Sequence, residues 1–185
     1  MSSKYKYYDN EAIYFVTSTV VGWADVFTRD IYRNILLDSF RFCQQKQGLN
    51  IHAWVLMPNH FHMICSFRDG HQPGMVLKNI KSFTAIKIID AVIKNHQESR
   101  KDWLLPLFEQ HGKQQKSNFR YQFWQHENHP ILLDNKVMYL QRMHYLHENP
   151  VRAGFVIHGY DWLYSSAIDY YLEPQKGLLE LLILE

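Results

Sequence analysis

The chain has only two cysteines, Cys43 and Cys65, with no CxxC spacing. That argues against a disulfide framework and against a thiolate zinc site, and a reducing cytoplasm is the expected compartment. No stretch approaches the roughly 18 apolar residues that a membrane span needs. The polar, tyrosine-rich run from Met1 to Asn10 lacks the apolar core of an export signal. A soluble, cytoplasmic protein without a membrane partner is therefore expected. Charge of one sign is also scarce: the formal net charge is +2. The chain as a whole does not read as a polyelectrolyte binder, and any case for nucleic acid must rest on a local site. Internal repeats and low-complexity tracts are lacking. What is present suits one domain: 185 residues, 46% of them apolar, are enough to bury a core. Eleven histidines are a rich complement, and only their spacing can single any out.

Residues 12 to 21 are β-branched and aromatic up to Gly22, which reads as a first strand. From Arg29 to Gln47 the apolar positions Ile31, Ile35, Leu36, Phe40 and Cys43 recur at helical spacing, and Gly48 follows as a stop. Leu49 to Met57 and His60 to Phe67 read as two strands around a Pro58-Asn59 turn. A long helix from about Met75 to Asn95 is expected to bury Phe83, Ile86, Ile89 and Ile93. Residues 97–120 are polar around an apolar island and read as a flexible insertion; Tyr121 to Trp124 is a short strand candidate. Asp134 is the expected cap of a helix that reaches about Glu148 and stops at Pro150. The apolar tail, residues 172–185, must be buried on the parent domain or in a homodimer. The element order predicts a single α+β domain over residues 1–185, an antiparallel β-sheet with helices packed on one face.

Strand side chains alternate between faces, so His60 and His62 project from the same side just after the turn, where two imidazoles could share one metal ion. A histidine pair alone is weak evidence, because useful affinity needs a third ligand and a partner that fixes each tautomer. Tyr145 and Asn149 stand four residues apart, about one helical turn on one face. If that face meets the hairpin, an amide oxygen joins the imidazoles with a phenol beside them. Read singly, Asn149 is a helix cap and Tyr145 a core aromatic. His126 and His129 read as local loop contacts.

The run from Trp54 to His62 resembles the strand-turn-strand "HUH" motif of single-tyrosine transposases. Tyr145-Leu146-His147-Glu148-Asn149-Pro150-Val151-Arg152-Ala153-Gly154 resembles the tyrosine-helix signature of their REP-associated branch, and Tyr164-Ser165-Ser166-Ala167 a stretch common downstream in it. The resemblance spans roughly Ile13 to Tyr171. It implies a ferredoxin-like sandwich and a transposase that cleaves and rejoins single-stranded DNA, binding hairpin or repeat sequences. It implies His60 and His62 as metal ligands with Mg²⁺ or Mn²⁺, Tyr145 as nucleophile, and Asn149 as third ligand where insertion-sequence relatives more often carry Gln. Zinc is left open by the spacing.

That chemistry is physically coherent. A phenol with a pKa of about 10 is a poor nucleophile at neutral pH, so the site must hold the phosphate and neutralise its charge. A divalent cation does both. Attack by Tyr145 would give a 5′-phosphotyrosine and a free 3′-OH. For DNA contacts the candidates are Lys78, Lys81, Lys113, Lys116 and Arg120, with Tyr121, Phe123 and Trp124 as rings for unpaired bases, and Arg152 near the site. The same lysines read equally as a solvated face and the same rings as core. Two other functions compete: a domesticated, non-cleaving single-stranded DNA-binding relative, and a zinc hydrolase using His60, His62 and His126.

Overall fold

The structure is a computed structural model that describes residues 12–114, 120–126, 130–172 and 177–184. Four strands form one antiparallel sheet: β1 (Tyr14–Thr19), β2 (Leu49–Leu56), β3 (His60–Phe67) and β4 (Ile131–Leu132), in the spatial order β2-β3-β1-β4. With α1 (Asp30–Lys46) between β1 and β2 and α2 (Pro73–Lys94) after β3, this is the expected ferredoxin-like arrangement. The β2–β3 hairpin turns at Pro58-Asn59, with the Met57 amide donating to the His60 carbonyl at 2.8 Å.

Pleating sorts the strand residues into two layers. Phe61, Met63 and Cys65 of β3, with Trp54 and Leu56 of β2, pack under α1 and α2 in the main core. Ile64, Ala53, Val55 and Phe15 point the other way, into a smaller cluster. The expected cover of one face is seen for α1 and α2. The structure adds a second layer, because α4 (Lys136–His147) packs on β2 and β3 from the histidine side.

Three local readings are corrected. Residues 97–120 are not a loop throughout: Lys101–Lys113 form α3, which buries Leu104 and Phe108 one turn apart. The polar stretch before it is also anchored. Tyr32 donates to Glu98 at 2.9 Å, and Arg29 and Arg100 pair with the same carboxylate at 3.0 and 2.8 Å. In α2 the buried row is Val76, Ile80, Thr84, Ile88 and Val92, with Ile89 as expected, whereas Phe83, Ile86 and Ile93 are exposed. The helix is apolar around most of its girth, so periodicity alone does not choose a face. Thr84 is tolerated inside because its hydroxyl donates to the Ile80 carbonyl and accepts from the Trp124 indole. Finally, Asn135, not Asp134, caps α4, its side chain accepting from the Met138 amide at 2.9 Å.

α4 ends about where expected, at His147 with Glu148 as its C-cap, two residues before Pro150. Glu148 keeps helical angles and the chain runs on into α5 (Asn149–Arg152), with Arg152 and Ala153 bonded four residues back, until Gly154 turns it at φ +75°. Pro150 brings no N–H to that junction. Tyr164 to Ser166 then run along the β2 edge: the Leu56 amide donates to Tyr164, and Ser166 bonds both backbone polar groups of Trp54. The described part of the tail docks on its own chain, where Leu179 is buried and the Leu182 amide donates to the Ile51 carbonyl. No described helix is long and apolar enough to cross a membrane.

Candidate active site

The hairpin holds its histidines rigidly. The turn is pinned by Val20, whose amide donates to Asn59 at 2.8 Å, and by Phe27, whose amide donates to Pro58 at 2.7 Å. The Asn59 amide group bonds Asp25 at 2.8 Å and its oxygen lies 2.6 Å from His60 Nδ1. His62, which is 6% exposed, faces Thr17 across the β1–β3 ladder, and its Nδ1 lies 2.7 Å from the threonine hydroxyl. If Nδ1–H donates to that hydroxyl, Nε2 keeps its lone pair for a cation. The two imidazole centroids are 4.8 Å apart.

Electrostatics favour neutral rings. Burial is the main cause that pulls His62 down to about 3, with His60 and the Arg142 guanidinium adding to it. Burial also lowers His60, opposed by a hydrogen bond with Asn149. Neutral imidazoles are metal ligands at physiological pH.

Opposite them, α4 delivers the tyrosine. The Tyr145 ring centroid is 5.3 Å from that of His62 in the same chain and 6.1 Å from Phe15, and Arg152 lies over it at 5.4 Å. Asn149, one turn on, meets His60. So the four residues singled out as nucleophile and ligands come together, with Arg152 beside them. Among the described residues no group of three His, Cys, Asp or Glu could hold a metal ion. The Asn149 amide beside His60 is a donor of another type. Two neutral imidazoles and an amide suit a divalent cation with open positions for phosphate oxygens. The helix is tethered by His147, buried, whose Nε2 lies 2.9 Å from the Ser166 hydroxyl that bonds Trp54 in β2. Burial holds His147 at about 4, so it serves as a neutral strut.

The expected DNA contacts fare differently. Lys78, Lys81, Arg120, Tyr121, Phe123 and Trp124 line one groove of about 720 Å³ beside α2, on the sheet face away from the histidines. Phe123 and Trp124 are 1% and 4% exposed and pack on Phe27, so they are core rings and cannot stack on bases. Lys81 donates to the Gln125 carbonyl, and burial lowers its amine to about 8. Lys113 and Arg120 pair with Glu109 at 3.5 and 3.6 Å. Lys116 and His129 lie outside the described residues, and His126 lines the same groove, remote from the histidine pair.

Three contributors were not singled out in the sequence. Thr17 is identified only by strand register. Trp23 stands 61% exposed beside His60, ring centroids 5.9 Å apart, on a backbone at φ +53°. Arg142, three residues before Tyr145, had a readable helical spacing.

Residues 14–105, about half of the chain, match the sequence model described as "Transposase IS200 like". The chain belongs to the IS200-like transposase family. The family match includes the histidine hairpin and stops before α4. A solved structure of a REP-associated tyrosine transposase bound to a REP hairpin superposes with a TM-score of 0.63 at 18% identity, covering 100% of this chain and 94% of that one. It shares the four-stranded α+β fold. A candidate transposase from Deinococcus radiodurans R1 matches with a TM-score of 0.45 at 16% identity, over 80% of this chain and 97% of that chain. A search of curated proteins finds no match.

Proposed function

We propose that this transposase-family chain cleaves and rejoins single-stranded DNA through a 5′-phosphotyrosine on Tyr145, and that it binds hairpin-bearing or repeat DNA. The observation that carries the proposal is the approach of Tyr145 to within 5.3 Å of the His62 ring, centroid to centroid, with Asn149 on His60, all within one chain. The hairpin ligand of the structurally similar REP-associated protein supports the choice of DNA.

His60, His62 and Asn149 would hold the cation, Mg²⁺ or Mn²⁺, which when bound supplies charge neutralisation and Lewis acidity at the phosphate. The chain's own residues do the rest. Thr17 and Asn59 orient the imidazoles. The α4 tether through His147 and Ser166 holds Tyr145 in reach of the phosphate, so that attack is close to unimolecular. The Tyr145 Oη lone pair forms the new P–O bond and the phenol gives up its proton. The P–O3′ pair leaves with the 3′ oxygen, which gains a proton and becomes a free 3′-OH. Attack by another 3′-OH reverses the balance and releases the tyrosine, so rejoining needs no external energy source. Trp23, exposed beside His60, gives an unpaired base a ring to stack on, which the buried Phe123 and Trp124 do not offer.

Incubation of the purified protein with hairpin-bearing single-stranded oligonucleotides and Mn²⁺ or Mg²⁺ tests the proposal. A covalent adduct and a free 3′-OH are expected. Tyr145→Phe should abolish the adduct and leave binding nearly intact. An adduct that persists in that variant overturns the nucleophile assignment, and binding without cleavage by the native protein would favour the non-cleaving alternative.

A further inference from the structure

The face of α4 and α5 that looks at the histidines carries more than the nucleophile and its neighbouring amide. Arg142, Tyr145, Asn149 and Arg152 follow one another at steps of three, four and three residues, the repeat that keeps side chains on one side of an α-helix. The positions of Arg142 and Arg152 agree with that placement. Arg142 lies over the Phe15 ring at 5.3 Å, and Phe15 is itself stacked on His62 at 5.2 Å. Arg152 lies over Tyr145. Among the described residues neither arginine forms an ion pair, unlike Arg33 and Arg41, which pair with Asp30 and Asp38. Two guanidiniums therefore flank Tyr145 along the helix, one over Phe15 and one over the tyrosine ring, and among the described residues no carboxylate pairs with either. Aromatic faces hold such groups in place while leaving their N–H edges for an anion.

Resting on the transesterification reading above, we propose that Arg142 is a further catalytic residue, its guanidinium donating to a non-bridging oxygen of the scissile phosphate. As the Tyr145 Oη–P bond forms and the P–O3′ bond breaks, negative charge gathers on the non-bridging oxygens. A planar fork held over the Phe15 ring meets that charge with paired hydrogen bonds. Arg152, nearly three turns further along, is placed for a neighbouring phosphate. Arg142 acts on the reacting group and Arg152 on the strand.

The test compares native protein, Arg142→Ala and Arg142→Lys on two oligonucleotides, one with an ordinary scissile phosphodiester and one with a methylphosphonate there, which lacks the charged oxygen. On the phosphodiester, Arg142→Ala should slow adduct formation by about 100-fold or more. Oligonucleotide binding should change only a few-fold, and Arg142→Lys should recover part of the rate. On the methylphosphonate the Arg142→Ala defect should nearly vanish. An Arg142→Ala rate equal to native, or a defect of the same size on both substrates, overturns the role. Absence of any native adduct on the phosphodiester overturns the nuclease reading itself, and Arg142's part with it. A native adduct beside an unimpaired Arg142→Ala variant overturns Arg142 alone.

Discussion

The two faces of the sheet do different work. Under α1 and α2 the strands contribute Tyr14, Val16, Trp54, Phe61 and Met63, rings and branched chains in one continuous apolar core. On the α4 side the same strands present Thr17, His60 and His62 between the apolar posts Phe15, Val55 and Ile64. The first face supplies stability. The second gives up packing to hold two neutral imidazoles, a phenol, an amide and two guanidiniums close together. Alternation along β3 is what allows this: each residue that stabilises the hairpin has a neighbour that points into the site. A rigid strand thus holds the two imidazoles, and the sheet's other side holds that strand still.

If this division holds, damage on the core side should cost stability first. Phe61 lies between the two site histidines in sequence and packs on Phe40 and Trp124. Phe61→Ala should destabilise the fold by ~3–5 kcal/mol, read from denaturant midpoints. Tyr145→Phe on the other face should leave the midpoint nearly unchanged. An equal loss from both would erase the distinction.

The next effect comes from acid. Glu98 is held down at about 2 chiefly by its Arg100 hydrogen bonds, with Tyr32 helping. A carboxylate lowered on folding stabilises above its ordinary value, and that contribution fades as pH falls from the ordinary range toward 2. Melting temperatures of native protein should drop through that window by an amount equivalent to roughly 3 kcal/mol. Glu98→Gln should start lower and drop less. Parallel curves for the two proteins would contradict the anchoring role of this carboxylate under α1.

The smallest effect belongs to the rim of the site. Trp23→Ala should weaken binding of single-stranded oligonucleotides by ~1–3 kcal/mol, with Trp23→Phe recovering most of it and neither changing the melting temperature. A loss of stability instead would mean that the ring serves the turn at Gly22 and Trp23, both at positive φ, and not a base.

Much of this site was legible in the sequence because its signals are local. His60 and His62 share a face by strand alternation, and Tyr145 and Asn149 share one by helical spacing. Thr17 was not legible, since its place opposite His62 depends on strand register over a separation of 45 residues. In the fold, β1, α1 and the hairpin could be read from pattern. The row that α2 buries could not, because apolar residues surround that helix. Phe123 and Trp124 misled for a related reason: aromatic residues in a polar stretch read as a binding surface, but here they close the core beneath α2. The polar approach to α3 read as loose because a carboxylate buried with two arginines looks, in sequence, like solvated charge.

The most direct test of the whole account is peptide mapping, by mass spectrometry, of the covalent adduct formed with a single-stranded oligonucleotide. The account predicts one modified peptide, with the 5′-phosphate of the DNA on Tyr145. Attachment at another tyrosine, such as Tyr164, or through a 3′-phosphate, would contradict it.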